Sequence, residues 1–334
     1  MLNKNAKLTS KIFDKDVEQK PTRDGYGDGL VIAGEQDKNV VVLCADLTES
    51  TRSEAFSKKF PERFFEVGVA EQNLATIASG LGVSGKVAFI SSYATFSPGR
   101  NWEQIRTTIS YNDSNVKIAG AHAGISVGPD GATHQAVEDI ATMRVMANMR
   151  VIVPCDAVEA SKATIAAAKM WGPVYLRFGR EKMPVFTTDD TPFVPGKAEI
   201  FWESNGSRKK PQVAIIGCGS LVHYALVAAK ELEEDGIGTV VVNSHTVKPL
   251  DEKTVLEVAE RCGAVVTVEE HQISGGLGGA VAELLAKKLP TPMEFIGMQN
   301  VFGESGPPKD LIEKYGMGAN DIKAAVKKVL KRRK

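Results

Sequence analysis

VAFISSYATFSPGRNWEQIRTTISYNDSNVKIAGA, residues 87–121, holds one complete unit of the fold. Its two ends are short apolar runs, and its middle, NWEQIRTTISYN, has helical spacing. An apolar strand, a helix and a second apolar strand form a parallel crossover. The same alternation continues in both directions. VVVLCADL, RVIVPC, VYLRFG, QVAIIGCG, GTVVVNS, AVVTVEE and MEFIGM read as further buried strands. AEQNLATIASGLGV, HQAVEDIATMRVM, AVEASKATIAAAKM and LVHYALVAAKELEEDG read as helices between them. Strands that are apolar throughout belong to parallel sheets covered on both faces, so the fold class is α/β. The pattern breaks near residues 187–210, where Pro, Gly, Asp and Lys cluster around one short strand near Ala198–Trp202. The expected organisation is an N-terminal extension (1–20), a doubly wound, mainly parallel domain (21–186), a linker (187–210) and a smaller α/β domain (211–334).

The 334 residues are 43% hydrophobic and 25% charged, enough to bury two cores. Lys+Arg 41 balances Asp+Glu 41, so no global field draws nucleic acid or an anionic membrane surface. The basic run Lys327, Lys328, Lys331, Arg332, Arg333 and Lys334 reads as a solvated helix end, where cations complement the dipole. No apolar stretch is long enough for a bilayer span, and MLNKNAKLTSKIFDKD lacks the apolar centre of a signal peptide. Cys44, Cys155, Cys218 and Cys262 form no CxxC pair, and three lie in apolar runs. That is the pattern of buried thiols in a reducing cytoplasm, not of a structural zinc site.

Three stretches carry chemistry. In FFEVGVAEQNLATIASGLG (64–82), Glu71 follows a strand-like run and starts a helix rich in small residues. A helix N-terminus favours an anion, so a plain first-turn acid and a working carboxylate fit equally well. In AHAGISVGPDGATHQAVEDIA (121–141), His122, Asp130 and His134 surround a Gly-Pro-Asp-Gly turn, with His134 opening a helix. Two of the five histidines fall in this one loop, and loops at strand C-termini are where α/β sheets place function. The spacing is not that of a metal-binding helix, so acid–base and hydrogen-bonding roles are expected, with no metal ligand. In VYLRFGRE (174–181) two arginines end a strand. Arginine matches phosphate oxygens bidentately, and a strand-end ion pair is the plain alternative. IIGCGS (215–220) has Val222 where a dinucleotide loop needs its third glycine, so it reads as a tight turn onto a helix. SGGLGGAV (274–281) lets a helix start close against a sheet or a neighbouring subunit.

In order and together, these stretches resemble the transketolase family. GPDGATHQAVEDIA is similar to its catalytic-loop motif, and VGVAEQNL to the segment holding its invariant glutamate. PTRDGYG followed by VLCADLTEST resembles the opening of its pyrimidine-binding domain, and SSYATFSPGRNWEQIR its aromatic cofactor pocket. VEEHQISGGLGGAV resembles the transketolase C-terminal domain. The resemblance implies transfer of a two-carbon ketol unit between a ketose phosphate and an aldose phosphate, with thiamine diphosphate as cofactor. It implies that Glu71 hydrogen-bonds N1′ of the aminopyrimidine and favours its imino tautomer, that Phe96 packs on the ring, and that Asp46 helps shape the pocket. His122, Asp130 and His134 are implied to contact substrate hydroxyls and carbonyl and to move protons, and Arg23, Ser50 and Arg180 to receive the substrate phosphate.

The chain departs from the family in two places. Pro98 and Gly99 stand where full-length transketolases carry another aromatic, which leaves Trp102 as the candidate for that role. The diphosphate-binding domain is also missing. Thiamine-diphosphate enzymes hold magnesium and diphosphate with a GDG after a strand and an Asn pair further on. Here GDG (Gly27–Gly29) lies inside the helical stretch RDGYGDGLVIAGEQ, and no Asn pair follows. The expectation is a split enzyme in the cytoplasm, inactive alone. A separate N-terminal subunit would hold Mg2+ (or Ca2+) and the diphosphate, and two copies of each chain would form a heterotetramer. The alternatives are a 1-deoxy-xylulose-5-phosphate synthase-like or 2-oxoacid dehydrogenase beta-like subunit, or a regulatory homologue without activity. A nicotinamide-dependent oxidoreductase rests on IIGCGS alone.

Overall fold

Every one of these apolar runs forms a strand. The computed structural model describes residues 1–204 and 210–333; linker positions 205–209 and Lys334 of the basic run lie outside the described residues. The first half contains β1 (Gln19–Lys20), α1 (Thr22–Gln36), β2 (Val40–Cys44), α2 (Glu54–Lys59), β3 (Phe64–Glu66), α3 (Glu71–Val83) and β4 (Val87–Tyr93). It continues through α4 (Trp102–Gln104), β5 (Val116–Ala121), α5 (Asp139–Arg144), β6 (Arg150–Ile152), α6 (Ala157–Ala168), β7 (Val174–Arg177) and β8 (Met183–Pro184). The second half contains β9 (Glu199–Glu203), β10 (Pro211–Gly217), α7 (Leu221–Glu234), β11 (Gly238–Asn243), β12 (Thr246–Lys248) and α8 (Glu252–Cys262). It ends with β13 (Val265–Gln272), α9 (Leu277–Lys288), β14 (Met293–Met298), α10 (Pro308–Lys314) and α11 (Ala319–Leu330).

These strands build two sheets and a small ribbon, β1 with β8. The larger sheet has the order β12-β6-β7-β5-β4-β2-β3, the smaller β14-β13-β10-β11-β9. All pairs within each sheet are parallel except the edge pairs β12–β6 and β9–β11. The short strand expected near Ala198–Trp202 is β9. β12 belongs to the second half in sequence but adds an edge to the first half's sheet, so the two halves share backbone hydrogen bonds. The first residues lie along the second half, where Leu2 bridges Trp202 and Asn3 Nδ2 donates to Ile200 O at 2.8 Å. All four cysteines are free and buried. The basic C-terminal end is a solvated helix terminus, with Lys327 paired to Asp235 and both Lys328 and Arg332 to Glu294.

Two helix expectations are corrected. NWEQIRTTISYN forms one short turn, α4, followed by a π-helical stretch Ile105–Ser110. In HQAVEDIATMRVM only Asp139–Arg144 is helical, and His134 sits in a turn rather than opening a helix. The carbonyls of Ala136 and Val137 are taken by donors from outside the stretch, Gly124 N at 2.8 Å and Gln272 N at 2.7 Å. That strand-like pairing prevents a helix from starting earlier.

The GDG stretch serves packing. It lies within α1, and a Cβ on Gly25 would fall 1.9 Å from Ala157 O, while one on Gly29 would fall 2.7 Å from Thr164 Cβ. Side chains there would push α1 off α6. Gly25→Ala is therefore expected to lower stability by about 3 kcal/mol, since the clash is with backbone. Gly80→Ala is the control, because nothing lies within 4 Å of a Cβ there. In a helix interior that change should stabilise by about 0.5–1 kcal/mol. Thermal unfolding of the two variants checks both signs.

SGGLGGAV also packs as its glycines suggest. Glu269 caps α9, accepting from Leu277 N at 2.7 Å and Gly278 N at 2.8 Å. A Cβ on Gly276 would strike Glu269 Oε2 at 2.0 Å. The carboxylate sits at the positive end of the helix, where it satisfies two otherwise orphan N–H groups.

Candidate active site

The strands β5, β4, β2 and β3 are neighbours, so the segments leaving their C-terminal ends converge. Parallel sheets place sites at this edge. The segment after β3 leads into α3, whose first residue is Glu71. Its side chain is 5% exposed and its N-cap, Ala70, offers no side-chain bond. The segment after β4 coils in one turn, with Ser97 N bonded to Tyr93 O and Arg100 N to Phe96 O, both at 2.8 Å. That turn stacks Phe96 on Tyr93 (centroids 5.8 Å apart) and lays Arg100 over the Phe96 ring at 4.3 Å. Arg100 Nη1 then donates to Glu71 Oε1 at 3.1 Å, and Asn101 Nδ2 donates to Glu71 O at 2.9 Å.

The segment after β5 begins with His122, held in the left-handed region at φ 53° and almost fully buried. Its ring stacks on Tyr93 with centroids 3.7 Å apart, and His134 meets Phe96 edge-on at 5.4 Å. Arg23 Nη1 lies 3.2 Å from His122 Nε2. A guanidinium only donates, so Nε2 accepts and the ring proton resides on Nδ1. His122 Nδ1 is buried and has no protein partner. Burial, then the charges of Arg23, Arg180 and Arg52 and the neighbouring His134, pushes the His122 pKa down to about 3. The imidazole is neutral at physiological pH and presents one unspent N–H donor.

Arginines surround that end of the site. Arg23 Nη1 also donates to Ser50 O at 2.8 Å, and Arg180 Nη1 to Val127 O at 2.9 Å. Burial and the neighbouring charges of Arg52 and Arg180 lower the Arg23 pKa, with Asp24 opposing them. Ser50 thus lies beside Arg23. Asp130 stands exposed on the loop between the two histidines. Asp46 sits at φ 59° just past β2, its N–H donated to Glu66 Oε1 at 2.7 Å, which ties the β2 and β3 ends together. Trp102 is not brought into the aromatic cluster. Its indole donates to Thr142 O at 3.0 Å and its ring packs on the core. Arg177, the other strand-end arginine, is a buried structural partner of Asp139 at 2.7 Å.

Tyr93, Arg100 and Asn101 join this cluster without any signal of their own in the sequence. Phe96 and Arg100 are four apart, a spacing that brings them together only if the loop coils, and Pro98 and Gly99 argue against a coil.

The family described as Transketolase, pyrimidine binding domain matches residues 18–185, and that described as Transketolase, C-terminal domain matches residues 203–322. This chain belongs to the transketolase family. A Methanocaldococcus jannaschii protein, provisionally named a transketolase C-terminal section, is 42% identical over 94% of this chain and 97% of its own length. A Clostridium protein named 6-deoxy-6-sulfo-D-fructose transketolase subunit SqwH is 37% identical over 96% of this chain and 98% of its own. A solved structure described as a split gene transketolase, inactive beta4 tetramer, superimposes with a TM-score of 0.86 at 45% identity, covering 94% of this chain and 99% of that one. The chain thus carries the pyrimidine-binding and C-terminal domains of a transketolase, and its two mainly parallel sheets agree with that fold.

Family membership implies dependence on thiamine diphosphate, and the side chains fit one end of that molecule. A planar cationic group, the Arg100 guanidinium, already sits over the Phe96 ring at 4.3 Å from its centroid and bonds the buried Glu71 carboxylate. An aminopyrimidine offers the same combination of a flat face and an edge nitrogen. For the diphosphate end, no group of three or more His, Cys, Asp or Glu that could hold a metal occurs among the described residues. No helix among them is long and apolar enough to cross a membrane.

Proposed function

We propose that this chain is the C-terminal subunit of a split transketolase, moving a two-carbon ketol unit from a ketose phosphate to an aldose phosphate. It works with a separate N-terminal subunit that holds the diphosphate and its Mg2+ or Ca2+. One observation carries the reading: a buried carboxylate beside an aromatic face, a neutral histidine with a free N–H, and an arginine cluster all meet at one sheet edge. The names of the split-gene and subunit relatives support it.

Thiamine diphosphate, when bound, supplies the carbon nucleophile for the transfer. Glu71 holds a proton at the ring nitrogen facing it, and Phe96 fixes the ring plane. His122 donates its Nδ1–H to a substrate oxygen, while His134 and Asp130 contact substrate hydroxyls and exchange protons across the loop. Arg23 and Arg180, with Ser50 beside them, draw in the anionic end of the sugar. Asp46 holds the pocket wall, and Trp102 acts by anchoring the loop that carries Phe96.

The test is co-expression with an N-terminal diphosphate-binding transketolase subunit. Alone, the chain is expected to bind little thiamine diphosphate. Paired, it should transfer a ketol unit from xylulose 5-phosphate to ribose 5-phosphate. An arginine cluster accommodates a sulfonate as well as a phosphate, so a 6-sulfo ketose is run as a second donor. Pyruvate decarboxylation by the pair would transfer the chain to the 2-oxoacid branch. Turnover by the chain alone with magnesium and cofactor would end the proposal.

A further inference from the structure

The loop carrying His122 and His134 is gripped from behind by the second half of the chain. Ser126 N donates to Glu270 Oε1 at 2.7 Å, and Ser220 Oγ donates to Glu270 Oε2 at 3.3 Å. Gln135 Nε2 donates both to Ile125 O within the loop (3.0 Å) and to Glu304 O across the domain boundary (2.9 Å). Both side chains are at least 95% buried, at 5% and 4% exposure. The fit leaves no slack. A Cβ on Gly124 would lie 2.2 Å from Glu270 Oε1, one on Gly128 2.8 Å from Pro308 Cγ, and one on Gly131 2.6 Å from Ser305 Oγ. All three glycines have positive φ, so the loop's path is one that only this packing and these residues allow.

The other face of the same loop presents His122 to Tyr93 and Arg23. His122 is itself a non-glycine residue at positive φ, a conformation that persists only where surrounding contacts over-determine it. The buried Arg177 reinforces the connection by donating to Ala136 O and Glu270 O. We infer that Glu270 and Gln135 are positioning residues: they transmit the grip of the C-terminal domain to the loop and hold His122 and His134 in register with Phe96. The inference rests on the proposed roles of those histidines. It gives the C-terminal domain a part in the reaction without contact with substrate or cofactor.

The experiment uses the reconstituted two-subunit enzyme and full-length variants. Glu270→Ala removes the acceptor for Ser126 N and is expected to lower kcat about 10- to 100-fold, the scale of a displacement of about 1 Å, with KM changing much less. Amide hydrogen exchange across 124–131 should quicken. Glu270→Gln keeps an oxygen acceptor and should restore most of kcat and of the protection. Gln135→Leu, which keeps the bulk but not the donors, should reproduce the Glu270→Ala result, and it decides the matter if Glu270→Ala does not fold. Wild-type kcat in the Ala and Leu variants, or loss explained wholly by a smaller folded fraction with exchange in 124–131 unchanged, overturns the inference. His122→Ala serves as the separate arm. If it turns over at the wild-type rate, the proposed role of the loop falls, and this inference with it; if it is impaired while the other variants are normal, this inference falls alone.

Discussion

Glu71→Gln is expected to lower kcat of the paired enzyme by about 10²- to 10⁴-fold, the range of a lost general acid–base group, while leaving the fold intact. The prediction follows from how the chain's buried carboxylates are partnered. Asp139 accepts from Arg177 and Tyr175, Glu159 from Cys155 N and Asn243, and Glu269 from two N–H groups of α9. Those oxygens are committed to buried donors and serve structure. The Glu71 carboxylate instead pairs with Arg100, whose side chain is 53% exposed. Arg100 can be solvated once the carboxylate is gone, so the substitution leaves no buried charge without a partner and its structural cost is small. The amide that replaces the carboxylate can still accept from Arg100 and fill the space, but it cannot hold and return a proton. Steady-state kinetics and thermal unfolding, measured together, separate the two effects. Full turnover in the variant would remove Glu71 from the chemistry, and a large fall in thermal midpoint would make it a structural residue.

The α/β class was legible because parallel-sheet strands are apolar on both faces, and runs such as VVVLC and VAFISS admit no other placement for so much β-branched surface. The positions of Glu71, His122 and Arg180 near strand ends were legible for the same reason. What stayed hidden depends on three-dimensional closure. β12 reaches back to the first sheet from the second half, a pairing with no local signal. His134 was expected to open a helix because HQAVEDIA has helical spacing, yet Gln272 N draws Val137 O into a strand-like bond instead. The coiled turn that lays Arg100 on Phe96 was obscured by Pro98 and Gly99. GDG shows the converse case: a motif familiar from diphosphate sites whose glycines here serve the close contact of α1 with α6. Function-bearing patterns and packing requirements use the same residue types, and the strand–helix context separates them.

His122→Phe provides the second large effect. The phenyl ring preserves the 3.7 Å stack on Tyr93 but carries no N–H and cannot accept from Arg23. Loss of a hydrogen bond directed at developing charge is expected to cost about 10²-fold in kcat/KM. The pH dependence distinguishes this role from that of a titrating base. With its pKa pushed from the usual 6.5 down to about 3, His122 stays neutral across the working range, so the variant's pH–rate profile should drop in height without losing a limb near pH 6–7. Stability supplies an independent readout. A folded-state pKa below the unfolded one means that the unfolded chain binds the extra proton between pH 6.5 and about 3. Native stability therefore falls as pH falls through that window, by at most about 1.4 kcal/mol per pH unit from this group. His122→Phe removes that contribution, so its unfolding free energy should be less acid-sensitive than the parent's below pH 6.5. Stability that titrates in parallel with the parent would mean that burial does not depress the His122 pKa, and loss of an acidic limb of the rate profile would mean that His122 is protonated in the working enzyme and acts as an acid. The tautomer set by Arg23 would then have no bearing on catalysis.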